Sequence, residues 1–289
     1  MAPHVEEVRR FSARHLAFIS PLVLIHLACG LVFVVGVSRV GIIVFVVTGV
    51  TQLVGLTMGY HRLLSHRSFK TSRGFQFVLA LLGTLAGQNG PLWWVAHHIH
   101  HHRSADRDDD IHSPRAGLFW SHIGWLFSPR IIPVRHELVP HLARLPEIRL
   151  LQQYSFAVPL VYGLALYLLG AAWQLVDPGA GVSGLRLVVW GPVLSTVCVY
   201  HGVLSLGSIA HRYGARPFPT PDDSRNNVAL GWLLLGEGWH NNHHFCPSSA
   251  RMGFRWWEID PNYAMLRLLV RIRIVWDLKA PPREAIRSR

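Results

Sequence analysis

The sequence predicts an all-α integral membrane protein with four transmembrane helices. Three observations carry this. Half of the 289 residues are hydrophobic and only 15% are charged, against roughly 25% in soluble domains. Four stretches free of Asp, Glu, Lys and Arg reach the roughly 20 residues that a bilayer-crossing helix needs. Much of the remaining polar character lies in 19 histidines, most of them in short clusters outside those stretches.

The first stretch, residues 16–37, is interrupted only by His26. It is too long for a signal-peptide core and lacks a small-residue cleavage site, so it reads as an anchor. The second covers residues 40–58, the third 154–176, and the fourth, with His201 inside it, 187–206. Ser38-Arg39 joins the first two, and a glycine-rich link containing Arg186 joins the last two. Arg9, Arg10 and Arg14 precede the first span, and most other Lys and Arg follow the second and fourth. The positive-inside rule then predicts a multi-pass protein with both termini, and segments 59–153 and 207–289, in the cytoplasm. A net charge of +12 suits a surface facing anionic lipid. It also suits an anionic substrate headgroup, and no nucleic-acid partner is expected.

A fifth apolar run, residues 74–96, contains the polar break Gln88-Asn89-Gly90-Pro91. It lies between two histidine clusters, and crossing the bilayer would put them on opposite faces. It is therefore expected to be embedded without spanning. Cys29, Cys198 and Cys246 have no paired spacing, which argues against a disulfide framework or a cysteine-based zinc site. No repeat or linker divides the chain, so a single domain over 1–289 is expected, frayed after Lys279.

The first cluster pairs His61 with His66, directly after the second span. The next runs His97-His98-Ile99-His100-His101-His102, followed by Asp106, Asp110 and His112. The third is Glu237-Gly238-Trp239-His240-Asn241-Asn242-His243-His244, and His211 stands alone at the end of the fourth span. Residues three and four apart share one helix face, so His240, His243 and His244 can converge. Both His97-x-x-His100-His101 and His98-x-x-His101-His102 fit the same pattern. His61 and His66 diverge on a straight α-helix, so they serve different metals or the helix ends between them. Neutral imidazole is a good ligand for iron, zinc, copper and nickel. Nine ligands over-supply one metal and fit two. One such spacing is weak, since histidine tracts also buffer metals, but three clusters beside four spans are specific. The lone His26 and His201 are expected to bond a neighbouring helix. His4, His15, His122, His136 and His141 are expected to be solvated.

On these motifs the chain resembles the membrane-bound fatty acid desaturases, in their acyl-CoA (delta-9, stearoyl-CoA-like) branch. Gly59-Tyr60-His61-Arg62-Leu63-Leu64-Ser65-His66 is similar to the family's first box and Gly236-Glu237-Gly238-Trp239-His240-Asn241-Asn242-His243-His244 to its third. Asp110-Ile111-His112-Ser113-Pro114 resembles the segment after the second box, which sets the register on His98, His101 and His102. Asp222-Asp223-Ser224-Arg225-Asn226-Asn227 resembles the approach to box three, and His211 the additional ligand. The resemblance implies a di-iron centre (two Fe ions) held by His61, His66, His98, His101, His102, His211, His240, His243 and His244. It also implies O2 as oxidant and four spans below a cytosolic helical cap.

The implied reaction is desaturation of a fatty acyl thioester, acyl-CoA at the delta-9 position, to a cis alkene. No haem or ferredoxin motif is visible, so a separate ferredoxin, rubredoxin or b-type cytochrome is expected as donor, with membrane lipid the other partner. Asp106, Asp110 and Glu237 are the candidates to orient the ligands, against ordinary pairing with arginine. Gln88, Asn89 and Trp94 match family positions near the acyl tunnel, and Trp239 is expected to line it. Phe45 and Gly49, one helical turn apart, resemble positions that limit chain length. Two departures stand out. Gly207 occupies a place where the family commonly has an Asn that helps hold a metal through water. Ala96 and His97 occupy places where acyl-CoA enzymes carry Arg-Asp. The competing readings are a membrane di-iron hydroxylase or alkane monooxygenase, and a membrane metal transporter or buffer.

Overall fold

A computed structural model describes residues 13–287; His4, Arg9, Arg10 and the side chain of Arg14 lie outside what it describes. The chain is mostly helical, and four helices are long and apolar enough to cross a membrane: His15–Val35, Arg39–Ser65, Ala157–Val176 and Pro178–Ser208. Gly36 ends the first with φ +67°, and Ser38 starts the second by accepting the Gly41 N–H at 3.0 Å. Leu175 and Val176 on the third are 86% and 87% exposed, an apolar surface that suits lipid. Small residues bring the third and fourth spans together: a Cβ on Gly184 would stand 2.5 Å from Tyr167 O. Two polar contacts cross the bundle. Thr48 Oγ1 meets Tyr162 OH at 2.6 Å, and Gln52 Nε2 donates to Thr196 Oγ1 at 2.7 Å.

The second span does not stop at Met58. Its α-helix, Arg39–Val54, continues as a π-helix over Gly55–Ser65. The residues from Gly55 to Leu64 are all buried, because this segment packs into the protein and not against lipid. Its chief neighbour is the helix Arg73–Leu85, and a Cβ on Gly55 would stand 2.1 Å from Leu82 C.

The run 74–96 is broken into two helices, Arg73–Leu85 and Pro91–Ser104. Gly87 and Asn89, at φ +67° and +63°, make the turn between them. The first has 13 residues, about 20 Å of helix against the ~30 Å of a bilayer core. Three other expectations need correction. Tyr154 lies in a turn before the third span. His15 is buried, not solvated. As far as residue 287, the tail beyond Lys279 is not frayed: Pro281 is buried, a helix covers Arg283–Arg287, and Ala285 packs inward.

Among the described residues the only strands are Lys70–Thr71 and Val275–Trp276, paired antiparallel with Lys70 opposite Trp276. Lys279 N donates to Ser68 O and Ala250 N to Lys279 O, both at 2.8 Å. The end of the chain is thereby tied to the loop after the first histidine cluster.

Candidate metal centre

The π-helix resolves the spacing of His61 and His66. Five residues are 500° of α-helix, which separates the side chains by about 140°. A π turn closes i to i+5, and His66 N donates to His61 O at 3.1 Å. The two rings therefore share a face, with centroids 4.8 Å apart. Helix Pro91–Ser104 brings His98 and His102 to the same place, and helix His240–Phe245 brings His243. Within these five, Nε2 atoms approach at 2.7 Å (His66 and His98), 3.0 Å (His61 and His243) and 2.9 Å (His243 and His102).

The same two helices serve a second group. His101 sits three residues after His98 and turns to the other side, where it meets His211, His240 and His244. His211 and His240 face each other at 3.1 Å, Nε2 to Nε2. Each H-x-x-H-H motif is thus divided between the groups. His97 and His100 point elsewhere, His97 Nδ1 to Trp93 O at 2.8 Å and His100 Nε2 to Asp109 O at 3.0 Å.

Carboxylates hold the outer nitrogens. Glu237 Oε2 lies 2.5 Å from His61 Nδ1, Asp106 Oδ2 2.8 Å from His211 Nδ1, and Asp110 Oδ2 3.2 Å from His101 Nδ1. Asp222, not singled out from the sequence as an orienting carboxylate, takes His244 Nδ1 at 2.8 Å. It stands 22 residues from its partner, with no periodicity to connect them. An Nδ1–H held by a carboxylate fixes the tautomer and leaves the Nε2 lone pair facing inward. Glu237 also pairs with arginine: the fully buried Arg62 donates to Glu237 Oε1, to Asp260 Oδ1 at 3.0 Å and to Ala250 O at 2.8 Å. The asparagines between His240 and His243 build the scaffold. Asn226 Oδ1 caps Asn241 N and Asn242 N at 3.0 and 3.1 Å, and Asn242 Nδ2 reaches Glu258 at 2.7 Å.

Burial, and then the neighbouring imidazoles, push His66, His98, His102, His240, His243 and His244 well below the ordinary histidine range. They are neutral, which is the ligating form. His101 Nε2 and His244 Nε2 are buried without any hydrogen-bond partner. Lone pairs directed at one another at about 3 Å are the separation expected of neighbouring ligands ~2.1 Å from a shared cation. The donor set fits a metal ion in each group, and imidazole nitrogen suits iron.

An apolar cavity opens against both groups. Leu56, Trp93, Val203, Leu204 and Leu206 line it with the candidates Gln88, Asn89 and Trp94, while His61, His98, His101 and His240 form part of its wall. Trp94 Nε1 donates to Gln88 Oε1 at 3.2 Å. Phe45, Gly49 and Trp239 are not part of that lining. Phe45 packs edge-on to Trp190, and a Cβ on Gly49 would face Ser195 at 3.8 Å. Trp239 is buried under the third cluster, donating Nε1 to Ile259 O at 2.8 Å.

His26 and His201 bond each other across the first and fourth spans, Nε2 to Nε2 at 3.1 Å. His122 is not solvated: it bridges His201 Nδ1 at 2.9 Å and Ser208 Oγ at 3.0 Å. His136 is exposed and His141 half-buried.

Four bilayer-length helices, two convergent imidazole groups and an apolar cavity beside them define a membrane protein able to bind metal next to an apolar chain. A family model described as "Fatty acid desaturase" matches residues 38–272. The chain is 38% identical over 236 residues to the sn-1 stearoyl-lipid 9-desaturase of Anabaena variabilis, covering 80% of each. It is 38% identical over 231 residues to the acyl-CoA 5-desaturase AL21 of Anemone leveillei, with 78% of this chain and 68% of that one aligned. A third relative is the delta-9 acyl-lipid desaturase 1 of Arabidopsis thaliana, 36% identical over 246 residues, 84% of this chain and 75% of that protein. The chain belongs to the fatty acid desaturase family and is an oxidoreductase.

Proposed function

We propose that this chain inserts a cis double bond at the delta-9 position of a long-chain acyl thioester, with acyl-CoA as the carrier, using O2 at a di-iron centre. The observation that carries the reading is two imidazole groups on the wall of one apolar cavity. One iron is assigned to His61, His66, His98, His102 and His243, the other to His101, His211, His240 and His244. When bound, the metal pair supplies with O2 the oxidising power that no acid or base in the chain has. The balance is one O2, two electrons and two protons for the loss of two hydrogens from adjacent methylenes and the release of two waters.

The protein's own part is positional. Gln88, Asn89, Trp94 and the apolar lining hold one C–C bond beside the imidazoles and exclude water. Asp106, Asp110, Asp222 and Glu237 keep the ligand rings oriented. Electrons come from a separate donor protein, and the centre and both termini face the cytoplasm, as the charge distribution predicts.

The test is expression in a host lacking its own delta-9 desaturase, with fatty-acid profiling and double-bond location. A new delta-9 cis alkene that disappears in His243→Ala is expected. An alcohol product would make the chain a hydroxylase, and metal flux in vesicles without acyl oxidation would make it a transporter. Purified enzyme given acyl-CoA or glycerolipid fixes the carrier; turnover of glycerolipid alone overturns the thioester assignment.

A further inference from the structure

The two imidazole groups are unequal: five rings converge in one and four in the other. Beside the smaller group lies an imidazole that the assignment above does not use. His112 packs against His101 with ring centroids 4.4 Å apart and planes 37° apart. It lines the same cavity as His101 and His240. Its Nδ1 is buried and has no hydrogen-bond partner. Asp110 Oδ1 stands 3.5 Å away, but that oxygen is engaged by the His112 backbone N–H at 3.3 Å.

Gly207 explains how the ring fits there. It sits at the end of the fourth span, four residues before His211. A Cβ at this position would meet His112 Nδ1 at 3.4 Å and Cε1 at 3.6 Å. A Cβ there would be in ordinary contact with the ring, so it is the absence of anything larger than a methyl that leaves the imidazole its space. The loop holding His112 is itself fixed, because Ser113 N donates to Asp110 O at 3.2 Å and Asp110 also takes His101 Nδ1. Trp125 closes the other side with its ring 5.0 Å away. A nitrogen donor is thus held rigidly at the edge of the group that has fewer ligands.

We propose that His112 is an additional metal-ligating side chain of the four-histidine group, binding the metal directly. The assignment rests on the di-iron reading above, and it makes the ligand set ten histidines.

The test uses the full-length protein in detergent, loaded with iron, comparing wild type with His112→Ala. Iron per chain and the rate of iron loss to a chelator are measured, independently of turnover. The expected result is retention of two irons by the wild type and loss of one of them about 10–100-fold faster from His112→Ala. Equal retention in the two proteins overturns the proposal. A His112→Cys variant loaded with cobalt gives a second reading that tolerates weakened iron binding. A thiolate-to-cobalt charge-transfer band supports ligation at this position, and a folded, cobalt-loaded variant without that band overturns it. A wild type that retains no iron at all sinks the di-iron reading itself and is distinguishable from both.

Discussion

A histidine can ligate only when its proton is held elsewhere, and here carboxylates do the holding. Asp222 is the clearest case, since its Oδ2 takes His244 Nδ1 while Oδ1 accepts the Ser224 N–H at 3.0 Å. Asp222→Asn should keep the fold and weaken iron retention about 10–100-fold, measured as iron per chain after chelator challenge. The neutral state of the six buried rings also sets a pH dependence. Their folded values lie below the ordinary ~6.5, so at lower pH the unfolded chain binds more protons than the folded one. Stability is therefore fully present above about pH 6.5 and is lost as pH falls toward the folded values. Thermal unfolding of the metal-free protein between pH 8 and 5 should show a falling midpoint; a flat profile would contradict neutral burial. The histidines themselves were legible in the sequence because their spacing is local. Asp222 was not, because its partner is distant in the chain, and neither was the burial of Arg62.

At the scale of elements, the spans were legible from their lack of charge, and the break at Gln88-Asn89-Gly90-Pro91 from its composition. The π-helix was not. Spacing of five reads as divergence on an α-helix, and only the widened turn of Gly55–Ser65 makes His61 and His66 neighbours. That turn packs closely on Arg73–Leu85. Gly55→Ala would place a methyl 2.1 Å from Leu82 C, a backbone atom that cannot yield. Overpacking costs about 1–3 kcal/mol and occasionally more, and contact with backbone puts this case at the upper end. The expected outcome is a lowered unfolding midpoint together with lost iron, read by thermal melts and metal analysis. Gly49→Ala, whose added carbon meets only ordinary contact at 3.8 Å, should leave both unchanged.

For the molecule as a whole, the proposed function makes this cavity the place where an acyl chain would be measured. Its apolar lining comes from the second and fourth spans and from helix Pro91–Ser104, reaching Leu56 on one side and Tyr200, Val203 and Leu204 on the other. The family resemblance points to Phe45 and Gly49, nearer the start of the second span and outside this lining, where the chain packs on Trp190 and Ser195. The register of a cavity along a helix depends on how neighbouring helices cross, which spacing alone does not encode. Val203→Trp should shift product toward shorter acyl chains, seen by fatty-acid profiling. Gly49→Leu tests the family-derived position: a shift to shorter chains would extend the closed end of the tunnel to Phe45 and Gly49, and an unchanged distribution would end it nearer Leu56.

The strand Val275–Trp276 and the bond from Lys279 to Ser68 have a consequence in time. His61 and His66 leave the ribosome long before the rings they must meet on helix His240–Phe245, and before the strand that braces their loop. During most of synthesis the first two spans can already be inserted while the cluster at their end stands open and unbraced. Neither group of convergent rings is complete until helix His240–Phe245 has been made, so a metal ion can meet all of its donors only late in synthesis.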